Sequence, residues 1–151
     1  MYRLYTCLIV LSLLPLPVWA EPDHEAVRGA ICSAAQKESA LPGQMDPLLE
    51  GGMLDHDQSA GLLSMECADG RSLIEIMVDG MQAENLEYMV VDLNLDPAAR
   101  NLELDGERLS VNDVLRERAD RGEPRVAQFA RDYLEWLGDE RFNPSMMVQK
   151  D

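Results

Sequence analysis

The fold is organised around the stretch Cys67-Ala68-Asp69-Gly70-Arg71-Ser72-Leu73-Ile74-Glu75, which places a cysteine, a turn and a helix start within nine residues. Asp-Gly is a turn dipeptide because both residues tolerate the left-handed backbone region. Ser72 precedes Glu75 by three residues, the spacing of a capping box in which each side chain accepts a hydrogen bond from the other residue's backbone N–H. The apolar residues from 73 to 78 predict a buried helix, and Gly80 predicts its end.

The same order of features returns later in the chain. The Asp-Gly pair recurs at Asp105-Gly106, 36 residues after its first occurrence, and Ser110 again precedes an acid, Asp113, by three residues. In each copy a break that contains glycine leads to a second helical pattern, over residues 83–93 and 124–138. Two units of turn, helix, break and helix predict stacked antiparallel helical hairpins.

The N-terminal part of the chain also has helical patterns. Residues 26–37 carry small apolar side chains at helical spacing, and residues 46–50 predict a short helix opened by Pro47. Leu41-Pro42-Gly43 predicts the break between them. We therefore predict an all-α fold of two to three helical hairpins in a short solenoid. The alternative is an α+β fold, because residues 73–78, 88–91 and 102–104 are β-branched or alternate between apolar and polar.

The first 20 residues have the layout of a secretory signal peptide. One cation, Arg3, precedes an apolar run that Pro15 and Pro17 interrupt, and Ala20 occupies the cleavage position. The run is shorter than the roughly 20 apolar residues of a membrane span. We predict a signal peptide at residues 1–20, a single helical domain at 21–138 and a C-terminal tail at 139–151. A periplasmic or secreted location follows.

The charge of the chain restricts its partners. The whole sequence has a formal net charge of −15, and removing residues 1–20 takes away Arg3 and no acid, which leaves −16. Nucleic acids and anionic lipids bind proteins through lysine and arginine, so neither is an expected partner. We expect no membrane association after signal cleavage. A basic periplasmic protein is the partner that the charge favours.

The cleaved chain would keep two cysteines, Cys32 and Cys67. In an exported domain an even pair without a Cys-x-x-Cys motif favours a structural disulfide over a redox or metal site. We predict this crosslink, and we assign turn and cap roles to residues of the two Asp-Gly units: Asp69, Gly70, Ser72, Glu75, Asp105, Gly106, Ser110 and Asp113.

Two family resemblances involve these residues. Asp69-Gly70-Arg71-Ser72-Leu73, followed by two helical patterns, resembles an ankyrin repeat, whose consensus runs Asp-Gly-x-Thr-Pro-Leu-His, and residues 105–138 resemble a second copy. Both copies lack the Pro and His of that motif. The resemblance implies a solenoid of helix pairs.

Ile31-Cys32 together with Cys67-x-x-Gly70-x-Ser72-Leu73 also resembles a family of small exported proteins of Gram-negative bacteria, a domain of unknown function. Members carry Leu-Cys and a later Cys-Asn-Gly-x-Ser-Leu-Leu, and this chain has one extra residue in the second motif. The resemblance implies paired cysteines and export, and it brings no activity.

Catalytic patterns are weak in this sequence. Asp55-His56-Asp57 contains metal-binding side-chain types without the spacing of a zinc or calcium site. The acid pairs Glu75/Asp79 and Asp113/Glu117 are four residues apart and predict solvated helix faces. Trp136 lies off the main apolar face of its helix and is open to two interpretations, a binding anchor or a contact with the tail.

We therefore predict no catalytic residue, no cofactor and no metal ligand. The favoured function is a non-enzymatic protein-interaction module. The alternative is a small hydrolase or a metal-handling protein that uses an acidic cluster.

Overall fold

A computed structural model describes residues 23–55 and 59–138. The predicted signal peptide, the predicted tail, and His56 and Asp57 lie outside the described residues. The described structure is mostly helical, with seven α-helices and one small two-stranded sheet. The elements are α1 His24–Ala35, α2 Leu41–Glu50, α3 Ser59–Leu63, α4 Leu73–Asp79, α5 Ala83–Glu87, a π-helical turn Tyr88–Asp92, β1 Leu102–Leu104, β2 Glu107–Leu109, α6 Val111–Arg121 and α7 Pro124–Gly138.

The mainly helical prediction is confirmed, and the α+β alternative describes one segment correctly. Residues 102–104 form β1, which pairs antiparallel with β2. Residues 73–78 are helical, and residues 88–91 lie in the π-helical turn. The β-branched residues of the first segment, Ile74, Ile76 and Val78, are buried in the core, where packing decides the backbone conformation more than intrinsic propensity does. In the second segment Val90 is buried and Val91 is exposed.

Helix α4 lies at the centre of the molecule. It contacts α1, α3, α5, α6 and α7. Five of its seven residues are buried, namely Leu73, Ile74, Ile76, Met77 and Val78. A short helix that is apolar on nearly every side is stable only when other elements surround it. The other helices therefore assemble around α4.

Both capping boxes are present. The Ser72 backbone N–H donates to Glu75 Oε2 at 3.0 Å, and the Glu75 N–H donates to Ser72 Oγ at 3.4 Å. The corresponding distances between Ser110 and Asp113 are 3.0 and 3.1 Å. These boxes begin α4 and α6.

The two Asp-Gly pairs form different turns. Gly70 alone has positive φ, 80°, in a turn closed by a 2.9 Å hydrogen bond from its N–H to the Cys67 carbonyl. In the second pair Asp105 and Gly106 both have positive φ, 51° and 79°, as in a two-residue hairpin loop. The second pair joins β1 to β2. The shared dipeptide therefore predicts a chain reversal but not its type.

The end of α4 does not depend on glycine in the way the sequence indicates. Gly80 is the C-cap with ordinary helical φ, and the next residue, Met81, occupies the left-handed position at φ 56°. Hydrogen bonds from Met81 N–H to Val78 and from Gln82 N–H to Met77 complete a Schellman motif. Gly80 is needed for space, because a Cβ there would lie 2.8 Å from the Ile76 carbonyl oxygen.

Helix α2 begins earlier than the sequence predicts. Leu41-Pro42-Gly43 starts the helix and is not a break, and Pro47 lies inside the helix. The preceding residue, Ala40, offers no side-chain cap. Asn85 of α5 supplies one, because its Oδ1 accepts from the Leu41 N–H at 3.1 Å. The prediction was wrong because this cap comes from a residue 44 positions away.

Asn85 also satisfies the end of α1. Its side chain is fully buried and its Nδ2 donates to the Lys37 carbonyl at 2.8 Å. In return, the Glu38 carboxylate accepts from the Glu84 N–H at 2.6 Å and so caps α5. We call these contacts between Asn85, Lys37, Leu41, Glu38 and Glu84 the Asn85 junction. It links the α1–α2 connection to α5 through polar contacts on both sides.

The Cys32–Cys67 disulfide links α1 to the segment before α4. The pair lies at disulfide-bonding distance, with the Cα atoms 5.9 Å apart. Both cysteines belong to the buried core. The predicted pairing is therefore supported.

Candidate functional site

Three aromatic residues form one face of α7. Phe129, Tyr133 and Trp136 are spaced at i, i+4 and i+7, which places them in a row on one side of a helix. The Phe129 and Tyr133 ring centroids lie 5.9 Å apart, and those of Tyr133 and Trp136 lie 5.0 Å apart. Neighbouring rings are tilted by 33° and 40°, so the row forms a continuous aromatic wall that is not flat.

This aromatic wall borders a surface hollow between α5 and α7. The hollow has a volume of about 300 Å³, and the residues that line it are Ala83, Glu87, Phe129, Asp132, Tyr133 and Trp136. Phe129 and Trp136 are half-buried, and both pack partly against the core. We call this site the aromatic hollow. It places aromatic residues beside carboxylates on a strongly acidic chain.

Two exposed carboxylates, Glu87 and Asp132, line the aromatic hollow. Among residues 23–55 and 59–138, no lysine, arginine or histidine lines it. Asp132 Oδ1 accepts from Gln128 Nε2 at 2.7 Å. Glu87 has no hydrogen-bond or ion-pair partner among residues 23–55 and 59–138. The hollow therefore has one carboxylate already engaged and one available.

Tyr133 is the most deeply buried of the three aromatic residues. Only 7% of its surface is exposed, and its hydroxyl has no hydrogen-bond partner within the described structure. Burial raises the pKa of this hydroxyl, and the nearby Glu87 carboxylate raises it further, so Tyr133 remains neutral at physiological pH. Tyr133 therefore adds no negative charge to the aromatic hollow.

An aromatic face beside carboxylates attracts cations. The ring quadrupole attracts a positive group placed over its face, and tryptophan gives the strongest effect. A carboxylate at the rim adds a charge-assisted hydrogen bond. Aromatic faces next to carboxylates therefore give the hollow the chemistry to attract a cationic group.

The sequence-predicted site residues lie elsewhere, at turns, caps and the crosslink. Cys32 and Cys67 line a separate cavity of about 380 Å³ together with Asp69. The Asp69 carboxylate accepts from Arg71 Nη2 at 2.7 Å and Arg71 Nε at 2.9 Å, and the hydrogen bond from the Arg71 side chain is the main reason that its pKa is lowered. None of these residues lines the aromatic hollow.

Glu75 and Asp79 do not form a purely solvated face. Arg118 of α6 donates to Asp79 Oδ1 at 2.7 Å and to Glu75 Oε1 at 3.1 Å, and all three side chains are mostly buried, with 20–29% exposure. Burial raises the pKa of Glu75, but hydrogen bonds from Ser72 and Arg118 outweigh it and leave the pKa below its usual value. The pair therefore joins α4 to α6. Asp113 pairs instead with the exposed Arg100 and Arg116.

The structure gives no metal centre in the residues it describes. In residues 23–55 and 59–138 no group of three or more His, Cys, Asp or Glu side chains is arranged to hold a metal ion. The Asp55-His56-Asp57 hypothesis depends on two residues outside that part of the chain. Met77 and Met89 are fully buried and fill the core, as their helical positions indicate.

Sequence reasoning identified Trp136 but not the rest of the aromatic hollow. The i, i+4, i+7 spacing on α7 was a usable signal for the aromatic row. Glu87 gave no signal, because its place opposite α7 depends on how α5 packs.

The described helices include none that is long and apolar enough to cross a membrane.

Comparison with known proteins gave no match to any family model, any curated protein or any solved structure.

Proposed function

We propose that this protein is an exported, non-enzymatic interaction module that binds a basic protein. The observation that carries the proposal is the aromatic hollow, where Glu87 and Asp132 flank three aromatic rings and the lining residues within 23–55 and 59–138 include no cation. Aromatic residues that remain partly open are typical binding anchors. The net charge of −16 that remains after removal of residues 1–20 adds long-range attraction for a basic partner and repulsion for acidic ones.

Export to the periplasm or beyond is part of the proposal. Its support is the signal-like layout of residues 1–20 and the Cys32–Cys67 pair at bonding distance. Disulfides persist in oxidising compartments and are rare in the cytosol. Cell fractionation with mass spectrometry tests this, and we expect a periplasmic or secreted protein that begins at Glu21. A cytosolic chain that begins at Met1 would contradict export.

The proposed scaffold is a short ankyrin-like solenoid of helix pairs. It is supported by two capped helices, α4 and α6, each followed after a short break by a second helix. Helices α6 and α7 pack closely against each other. In a solenoid, neighbouring pairs present side chains on one continuous surface for binding.

A site-directed crosslinking experiment tests the interaction. A photo-crosslinking amino acid replaces Ala83, which lines the aromatic hollow, and a matched variant carries it at Ala98, an exposed alanine outside the hollow. We expect Ala83 to capture one basic protein in cells, and Ala98 not to capture it. The purified pair should dissociate as salt concentration rises, because salt screens exposed charges.

Two results would contradict the interaction proposal. One is equal capture at Ala83 and Ala98, which would mean that the partner does not bind preferentially at the aromatic hollow. The other is a captured partner that is acidic or whose binding does not change with salt.

A further inference from the structure

We propose that Asp105-Gly106, at the tip of the β1–β2 hairpin, is a site of spontaneous isoaspartate formation, and that the fold protects the other Asp-Gly pairs of the chain. There are three such pairs, Asp69-Gly70, Asp79-Gly80 and Asp105-Gly106. All three have the same two reacting residues, so a difference in their reactivity has to come from the structure around them.

The reaction joins the side chain of an aspartate to the next backbone nitrogen. The Gly106 nitrogen attacks Cγ of the protonated Asp105 carboxyl, an N–Cγ bond forms, and the carboxyl hydroxyl leaves with the amide proton as water. Water then opens the succinimide ring. When the bond between the ring nitrogen and the Asp105 main-chain carbonyl carbon breaks, the main chain runs through Cβ and Cγ as isoaspartate. One water leaves and one enters, and glycine has no side chain to obstruct the attacking nitrogen.

Asp69-Gly70 is held in its turn from both sides. The Gly70 N–H donates to the Cys67 carbonyl at 2.9 Å. The Arg71 side chain donates to Asp69 Oδ2 through Nε at 2.9 Å and Nη2 at 2.7 Å. Both reacting groups are therefore engaged. The hydrogen bond from the Arg71 side chain also lowers the pKa of Asp69, which reduces the protonated form that reacts.

Asp79-Gly80 is held by the end of α4. The Gly80 N–H donates to the Ile76 carbonyl at 2.9 Å, and Asp79 Oδ1 accepts from Arg118 Nε at 2.7 Å. Rotation of the backbone between Asp79 and Gly80 would break the last turn of α4 and its contact with α6. Attack there therefore requires an opening of packed structure, which costs more free energy than movement of a surface loop.

Asp105-Gly106 lacks these restraints. In the part of the chain that the structure describes, the Asp105 carboxylate has no hydrogen-bond or ion-pair partner, and the Gly106 N–H donates to no acceptor. Both residues are exposed, and a Cβ at Gly106 would meet no atom within 4 Å. The nucleophile, the carboxyl and the space for water are therefore all available at one loop.

The hairpin tip also opens at low cost. Attack requires rotation about the Asp105 Cα–C bond, which takes the residue out of its turn conformation. The sheet has two strands of three residues each, and a two-stranded hairpin contributes little stability by itself. Asp105 has φ 51°, a left-handed conformation that is unfavourable for a residue with a Cβ, so opening of the loop relieves a steric cost.

Ageing of the purified full chain at neutral pH tests the assignment. Peptide mapping with electron-transfer fragmentation distinguishes aspartate from isoaspartate, and trypsin releases Asp105 in the peptide of residues 101–108. We expect isoaspartate to accumulate several-fold faster at Asp105 than at Asp69 or Asp79 in the folded protein. In urea, with the disulfide reduced, the three rates should become similar, because the restraints of the fold are lost.

Two charge-conserving variants provide a second measurement. Isoaspartate methyltransferase with labelled S-adenosylmethionine counts the total isoaspartate. Asp105→Glu should remove most of the signal from the aged folded protein, because glutamate would have to form a larger ring. Asp120→Glu changes an exposed aspartate of α6 that arginine follows, and it should leave the signal nearly unchanged. Circular dichroism shows whether both variants are folded.

Four results would overturn the assignment. They are equal isoaspartate at Asp69 and Asp105 in the folded protein, isoaspartate at Asp105 in urea but not in the folded protein, a preference for Asp105 that persists in urea, and an unchanged signal in Asp105→Glu. The second result would show that the hairpin protects its own tip. The third would show that neighbouring residues in the sequence, and not the fold, decide the reactivity.

Discussion

Helices α4 and α6 begin in a different way from α2 and α5. Ser72 and Ser110 cap their own helices through residues three positions later. Helices α2 and α5 have no side-chain cap at the preceding residue, and their N–H groups are satisfied by Asn85 and Glu38, 44 and 46 residues away. The first pair of helix starts is local, whereas the second exists only when the N-terminal region and α5 are packed together.

This difference shows which helix starts depend on residues that are distant in sequence. A local cap forms as soon as its own few residues adopt the turn, so the cap itself does not depend on distant residues. A cap from a distant residue forms only after the entropy of closing a long loop has been lost. The starts of α2 and α5 should therefore depend more on tertiary packing than the starts of α4 and α6, and mutations at the two kinds of start should have effects of different size.

The largest effect is expected when the crosslink that joins the two regions is removed. Replacing both Cys32 and Cys67 by serine should lower the free energy of unfolding by about 3–4 kcal/mol, because the unfolded chain regains the freedom of a loop that spans 35 residues. Urea unfolding measures the loss. Hydrogen exchange should show earlier opening of α1 and α2 than of α6 and α7, and uniform loss of protection would contradict this order.

Asn85→Ala should give the next largest effect. The substitution leaves the Leu41 N–H and the Lys37 carbonyl without their side-chain partner in a buried site, which costs about 2–3 kcal/mol. The matched control is Asn101→Ala, an exposed asparagine, which should change stability by less than about 0.5 kcal/mol. Equal losses for the two variants in thermal unfolding would mean that the junction is not important for stability.

Removal of either local cap should lower the free energy of unfolding by a smaller and nearly equal amount. Ser72→Ala and Ser110→Ala should each cost about 1 kcal/mol, because each removes an acceptor for the N3 N–H. Chemical denaturation of the two variants and of the double variant measures this. Because the boxes lie in separate helices, the losses should add. A loss at Ser72 as large as that of Asn85→Ala would show that its cap depends on tertiary contacts.

A gain in stability is expected at the end of α4. Met81→Gly should stabilise the protein by about 0.5–1 kcal/mol, because glycine adopts φ 56° without the steric cost of a side chain. The comparison is Gly52→Ala at φ 67°, the equivalent position after α2, which should destabilise by about 1 kcal/mol. A destabilised Met81→Gly variant would mean that the Met81 side chain contributes more by packing than its backbone strain costs.

The smallest difference is expected in the pH dependence of the two capping boxes. The folded-state pKa values of Glu75 and Asp113 are both lowered, so each stabilises the fold above its unfolded pKa and loses that contribution as pH falls through its folded pKa. Glu75→Gln should reduce the slope of stability with pH below its ordinary value of 4.5, and Asp113→Asn below 3.8. Unfolding measured from pH 6 to pH 2 checks this, and slopes identical to that of the parent protein would contradict it.

The amino-acid sequence by itself determined the local features. Ser72 with Glu75, Ser110 with Asp113 and the apolar run after Ser72 predict the starts of α4 and α6, because every interacting group lies within a few residues. The sequence also predicts the Cys32–Cys67 pair and the mainly helical fold. Each Asp-Gly pair predicts a chain reversal. The type of turn depends on whether the residues on either side pair as strands.

Tertiary structure decided the long-range features. Pro42 and Pro47 indicate a break and a later helix start, but α2 begins at Leu41 because Asn85 caps it from another helix. Arg118 reaches Glu75 and Asp79 only because α6 packs on α4, and Glu87 faces the aromatic row of α7 only because α5 packs beside it. These contacts join residues far apart in sequence. No local period or motif specifies them, since their geometry exists only after the core around α4 has formed.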